Sequence, residues 1–368
     1  MEMSIHLLVL NRAAYYFRIY LDEKMKMLSK QSGKQVPETL TQRRVFFAVM
    51  VLLLGLVLTL LLSLSQGAVP FSFDEMLQAL LRRGDPLKQT ILWDLRIPRI
   101  FAAMVVGAAL GMSGALLQGM LRNSLADPFI LGISAGAGLV VIVMVVLQVF
   151  QAWIPLAAWI GAIITTAIVI FLGRSGSKLS VELLILGGVA VSSLFGAVQS
   201  TLLLLAEDGQ IQQALNWLIG SLNGRGWREV NAAAPYIIIA LIAGWLLARS
   251  LNLLALGDDL AVSLGVNLGR SRILIAGVAT LLAAGAVSVS GLVGFIGLVV
   301  PHGVRLLVGN DHRILLPLSA LGGAWLLMFA DLLSRLGSVE LPVGSVTALL
   351  GSPLFIWLLY QRKTGTEN

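Results

Sequence analysis

The stretch Ile273–Val304, ILIAGVATLLAAGAVSVSGLVGFIGLVVPHGV, contains no Asp, Glu, Lys or Arg. A bilayer core of ~30 Å needs about 20 apolar residues per helix. This run is therefore generous for one span and tight for two. Ser288-Val289-Ser290-Gly291 supplies a polar, flexible break in its middle, which favours two. On that reading turns the number of spans, and with it the side on which every loop lies.

Seven other charge-free stretches flank it: Val45–Phe73, Ile100–Ala126, Pro128–Gly173, Leu183–Ala206, Val230–Ala248, Ile314–Ala330 and Leu341–Gln361. Pro128–Gly173 is long enough for two spans, turning near Gln151–Pro155. The total is ten. Lys and Arg arbitrate by their preference for the cytoplasmic side. Ten spans put 18 of the 26 cations on the side of the termini and 8 on the other. Nine spans give 15 and 11. Ten spans with both termini cytoplasmic is the expectation.

Composition agrees. Of 368 residues 57% are apolar and only 12% charged, against roughly 25% charged in soluble proteins. The net charge of +7 lies in cations between apolar runs, with no basic face interleaved with aromatics, so nucleic acid is not expected. There is no cysteine, which excludes disulfides and thiolate metal sites. His6, His302 and His312 are too scattered for a metal centre. No Gly-x-x-x-x-Gly-Lys-[Ser/Thr] occurs, so no ATP site is expected in this chain. Asp127, Glu182 and Asp331 stand at span ends, where capping or interfacial roles suffice. The spans thus lack the carboxylate that an ion-driven secondary transporter would use.

Residues 1–44 carry eight cations and four acids around an apolar patch, Ile5–Leu10. They read as a basic cytoplasmic extension: either an interfacial helix, or a segment ahead of a true start at Met25 or Met27. The expected division is this extension and a ten-helix domain over residues 45–368, with a cytoplasmic loop at 250–271.

That loop is longer than a helical connector needs. Gly257 ends one short segment. Asp258 or Asp259 can cap the next, whose Leu260, Val262, Leu264 and Val266 offer an apolar face to a soluble partner. On the opposite side, Arg96 and Arg99 flank Pro98 at a spacing that shares roughly one helix face. Arg335 ends the ninth span on the same side. Forked guanidinium groups there suit carboxylates on a docking protein. In the second span Gly107, Gly111, Ala115 and Gly119 recur every four residues, a face that admits a close helix neighbour. Gly291, Gly294 and Gly297 read as a similar row at spacing three.

Seven ordered strings carry a resemblance. They are Leu95–Arg99 (LRIPR), Val106–Gln118, Arg122–Pro128 (RNSLADP), Leu256–Asp258 with Ser263–Val266, Gly294–His302 (GFIGLVVPH), Ala330–Arg335, and Glu340–Gly344 with Gly351–Leu359. The chain resembles the FecCD/BtuC-type permeases, membrane subunits of importers for ferric siderophores, haem and vitamin B12, from about Gln42 to its C-terminus. Residues 1–41 have no counterpart.

The resemblance implies an all-α integral membrane fold with ten transmembrane helices per subunit, a type II ABC importer permease. Spans 2–5 and 7–10 would form an inverted repeat. It implies a second permease subunit, two ATPase subunits that hold ATP and Mg, an extracytoplasmic substrate-binding protein, and a place in the bacterial plasma (inner) membrane. The chain itself would bind no cofactor or metal and catalyse no reaction. Arg96, Arg99 and Arg335 would meet the binding protein. Gly257, Asp258, Asp259, Leu260, Ser263, Leu264, Gly265 and Val266 would form coupling helices against the ATPase. Ser180 and Val181 align with the cytoplasmic gate, where Val181 replaces a polar residue of some members. A ferric siderophore or other iron chelate is the expected substrate, with haem or cobalamin as alternatives.

Overall fold

The computed structural model describes residues 38–67, 69–175, 178–337 and 339–364. The chain divides into two units, Met1–Phe47 and Ala48–Asn368. The N-terminal extension up to residue 37 lies outside the described residues.

The described chain is helical apart from one antiparallel pairing of β1 (Arg174–Ser175) with β2 (Lys178–Leu179). Its helices are α1 (Glu38–Ser65), α2 (Phe73–Leu80), α3 (Pro86–Thr90), α4 (Ile97–Leu121), α5 (Ile133–Val146), α6 (Ile154–Leu172), α7 (Val181–Leu204) and α8 (Asp208–Ile219). There follow α9 (Trp227–Leu246), α10 (Ala248–Ala255), α11 (Asp258–Ser263), α12 (Leu268–Ser290), α13 (Ile296–Val308), α14 (His312–Ser334) and α15 (Val343–Thr364). A π-helical turn, Ile91–Arg96, joins α3 to α4. Among the described residues seven helices are long and apolar enough to cross a membrane, and three shorter apolar ones are α5, α13 and the apolar part of α15. Together they make the ten expected.

Ile273–Val304 does hold two helices. Their join is Gly291, where φ is +70° and a side chain would sit 2.3 Å from the Trp217 carbonyl oxygen. Gly291 is therefore a turn residue. Since α13 begins only at Ile296, Gly291, Gly294 and Gly297 are not a helix face. Phe295 also takes a left-handed conformation, φ +68°, and the Gly351 backbone of α15 leaves room for its ring.

The four-residue row in α4 behaves as read. A Cβ on Gly107 would lie 2.2 Å from the Gly323 oxygen, and one on Gly323 would lie 2.1 Å from the Gly107 oxygen. Gly111 meets the Ser319 oxygen in the same way. Backbone thus touches backbone between α4 and α14, a contact that only small residues permit. These two helices and α12 are the buried centre, whereas α1, α7 and α9 leave most of their surface uncovered. Such faces suit lipid or another subunit.

The helices repeat in length. α4, α5, α6 and α7 have 25, 14, 19 and 24 residues; α12 to α15 have 23, 13, 23 and 22. Corresponding helices lie five spans apart, with α9 as the span between the sets, so the second set runs in the opposite sense. In each, an irregular segment precedes the short helix: the 3-10 turn Pro128–Leu131 and the link 291–295. The first turn of α13 packs on both elements before it in the other set, because Gly297 faces Pro128 and the Gln118 amide of α4 donates to the Gly297 and Leu298 carbonyls at 3.2 Å.

Candidate functional sites

At one end of the bundle α10 and α11 form two short helices hinged on Gly257, whose φ of +107° excludes most side chains. α10 buries Ala248, Leu251 and Leu254. α11 buries Ala261 and leaves Leu260, Val262 and Leu264 more than half exposed, with Leu256 beside them. Ser263 folds its hydroxyl onto the Leu260 carbonyl, and Gly265 (φ +85°) ends the motif with Val266 bonded to the Ala261 oxygen. An apolar surface of this kind, on a segment too short to span, suits a protein partner.

The acids do not cap α11, a correction of the sequence expectation. Gly257 is the N-cap residue. Asp258 instead accepts from Arg122 at 2.7 Å and from Arg272 at 2.9 and 3.0 Å. The reason is proximity: Arg122 ends α4 in a left-handed conformation and Arg272 lies in the first turns of α12. Asp258 therefore ties α11 to the leading helix of each repeat, while Asp259 stays exposed. Asn252 of α10 makes a similar tie, donating to Asp311 at 2.7 Å and accepting from the His312 N–H at 2.9 Å. Burial pushes the Asp311 carboxyl up, but bonds from the Arg313 N–H and the Asn252 amide outweigh it and hold the group below its usual range.

At the other end the three arginines divide. Arg96 is buried and donates to the Leu64 carbonyl at the end of α1 and to the Val69 carbonyl beyond it. Arg99, three residues on and about 60° around the helix, turns to α14. Its Nε donates to Asp331 at 2.9 Å, and its guanidinium pairs with Glu340. Arg335 pairs with Asp331 at 3.1 Å, one helical turn away. Asp331 is fully buried, so it is a structural ion-pair centre rather than the interfacial group its position in sequence suggests. The i, i+4 spacing of Asp331 and Arg335 was the available signal.

Ser180 caps α7, its hydroxyl accepting from the Leu183 N–H at 3.4 Å, and Val181 begins that helix. Both are half-buried and follow β2 directly in the chain.

A ten-span bundle built as an inverted repeat, with a short-helix pair exposed at one end, defines a multi-pass membrane permease. Residues 52–361 match the FecCD transport family, and the chain belongs to it. It is 42% identical over 276 residues to the cobalamin import system permease protein BtuC of Halobacterium salinarum, covering 75% of this chain and 74% of that one. It is 41% identical to the hemin transport system permease protein HmuU of Yersinia pestis, covering 85% and 95%. It is 38% identical to the Fe(3+)-citrate import system permease protein YfmE of Bacillus subtilis, covering 87% and 97%. Among solved structures, a metal-chelate type ABC transporter in an inward-facing conformation superposes with a TM-score of 0.78 at 32% identity, over 85% of this chain and 98% of that one. The chain is an ABC importer permease.

Proposed function

We propose that this permease imports a ferric siderophore or another iron chelate by alternating access, driven by separate ATPase subunits that bind ATP and Mg. The observation that carries the reading is the exposed Leu256, Leu260, Val262 and Leu264 face, anchored to both repeats through Asp258. A partner moving that face moves α4 and α12 together. The cargo assignment draws on the names of the relatives, which include ferric citrate as well as hemin and cobalamin.

In this reading the Asp258 end is cytoplasmic, as are both termini, and the membrane is the bacterial plasma membrane. A substrate-binding protein docks at the Arg96, Arg99 and Arg335 end. Its carboxylates compete with Asp331 and Glu340 for Arg99 and Arg335, while Arg96 shapes the surface through the bonds it gives to α1. The chain pairs with a second permease subunit, and α7, whose Ser193, Ala197 and Ser200 are exposed, faces the pathway between them. Ser180 and Val181 stand at its cytoplasmic gate.

The test is uptake of radiolabelled ferric siderophore, ferric citrate, haem and cobalamin in cells that depend on this chain. Leu260→Glu with Leu264→Glu should abolish uptake and co-purification of the ATPase at normal membrane levels of the permease. Retained ATPase and full uptake would refute the coupling assignment; uptake of cobalamin or haem alone would move the cargo.

A further inference from the structure

A cavity of about 1120 Å³ opens at the Arg99 end, between the end of α5, the start of α6, α8, the start of α9 and the end of α12. Its size is slightly above the usual range of small-molecule sites, about 300–1,000 Å³. Of its lining, only Glu340 enters the docking assignment, as the partner of Arg99.

Its walls are aromatic: Trp153, Trp159, Trp217 and Tyr236 all line it. Tyr236 is fixed by a 3.0 Å hydrogen bond to Ser288 and packs against Trp159 with ring centroids 5.6 Å apart. α8 is held in place by backbone bonds just beyond it, Ser221 N–H to Ser290 at 2.8 Å and Gly344 N–H to Gly220 at 3.1 Å. The wall is therefore built before any ligand arrives.

The charges in the cavity are unequal in availability. Glu340 is already paired with Arg99, and Glu229 accepts the Gly226 N–H at 2.9 Å as part of the cap of α9. Arg225 and Arg228 also line the space. Among the described residues neither makes an ion pair or a side-chain hydrogen bond, and the Arg225 Nε is buried without a partner. The Trp159 indole N–H is likewise buried and unmatched. Burial depresses the Arg225 pKa, with Glu229 opposing the shift, as expected of a cation short of acceptors. Unspent donors and flat walls call for one kind of guest, an anion with an aromatic body.

We propose that this cavity receives an organic anion with a flat aromatic body, whose carboxylate or phenolate oxygens meet Arg225 and Arg228 while its rings lie against the tryptophans. This rests on the importer reading and narrows it, since the cargo would be an anionic, aromatic chelate held in the cavity beside the docking face before it enters the pathway that α7 faces. An anionic lipid headgroup shares the charge but not the flat body.

The test uses the full-length chain with its co-purifying subunits in phosphatidylcholine nanodiscs. Tryptophan quenching is titrated with haemin, with ferric citrate as an anion lacking rings, and with cyanocobalamin as a neutral chelate. Saturable quenching by haemin is expected, tighter than by ferric citrate and absent with cyanocobalamin. Arg225→Gln with Arg228→Gln should weaken it about tenfold, and each single variant should show part of the loss. Equal quenching in the wild type and the double variant, or equal quenching by all three probes, overturns the site. Loss of haemin binding when phosphatidylglycerol is added to the nanodisc assigns the cavity to a lipid headgroup and overturns the chelate. Uptake assays separate the two levels of argument. Chelate uptake that survives Arg225→Gln with Arg228→Gln unchanged refutes the subsite and leaves the importer. Haemin binding lost in the variant while the wild type imports no chelate refutes the importer reading and leaves the site.

Discussion

Arg99 and Asp331 stand 232 residues apart in sequence and meet at 2.9 Å. Each belongs to a central helix of a different repeat, and Arg335 closes the pair into a buried triad. Removing one member leaves buried charge uncompensated, which costs roughly 3–5 kcal/mol. Asp331→Ala should therefore lower the thermal midpoint of the detergent-purified protein by several degrees. Asp331→Leu with Arg99→Met and Arg335→Met should recover most of the loss. An unchanged midpoint in the single variant would show that water reaches the triad.

The two neighbouring acids of α11 should separate cleanly. Asp258 holds Arg122 and Arg272, whereas Asp259 is exposed. Perturbing a coupling path changes coupling by about 0.5–2 kcal/mol, roughly two- to thirtyfold. Asp258→Asn is expected to reduce uptake within that range at normal membrane levels, and Asp259→Asn to leave it within about twofold. Equal effects would mean that surface charge, not the tie to α4 and α12, is what the partner reads.

Two glycine-to-alanine changes should have opposite signs. At Gly107 the new methyl meets the Gly323 oxygen at 2.2 Å, so α4 and α14 must part, at a cost of about 1–3 kcal/mol or more. At Gly277, inside α12, a methyl meets nothing within 4 Å. Its helix-propensity gain is up to about 1 kcal/mol. Thermal unfolding of both variants checks the pair; a stabilised Gly107→Ala would contradict the close approach.

Asp127 gives a pH signature. Burial raises its pKa to about 6, against the opposing bond from the Phe129 N–H. A carboxyl raised above its unfolded value of 3.8 favours folding while protonated. That benefit is lost as pH rises from about 4 through 6. Asn keeps the cap without the charge. Asp127→Asn should thus stabilise the protein by about 1 kcal/mol at pH 7.5, discounted for the partial exposure of the residue. It should change little at pH 4.5. Equal midpoints at both values would show that the Asp127 carboxyl titrates normally.

Charge-free length was enough to find the spans, and the Ser288–Gly291 break was enough to number them. The glycine row of α4 was legible because a period of four is itself a geometric statement. The row at Gly291 misled because spacing carries no information on whether a helix is present, and the space denied to a side chain at Gly291 is taken by the carbonyl of Trp217 across the fold. Asp258 was misread as a cap for a related reason. Capping is local, while Arg122 and Arg272 reach it only after α4 and α12 have packed. Arg96 and Arg99 looked like twins in sequence, and their separation by the carbonyls of α1 and the acid of α14 is a tertiary fact.

The meeting of Gly297 with Pro128 and Leu110 carries a consequence for how such a chain can change cargo. At about 1.5 Å per residue, α5 and α13 are only ~20 Å long, so the remaining depth is bridged by main chain pressed on the main chain of α4 and on the Pro128 ring. A surface made of backbone offers no side chains to exchange. Drift in sequence cannot retune its width one methyl at a time without parting the halves. A lineage that shifts from one chelate to another has its freedom elsewhere, on the walls of α7 to α9 and on the proteins that deliver the cargo.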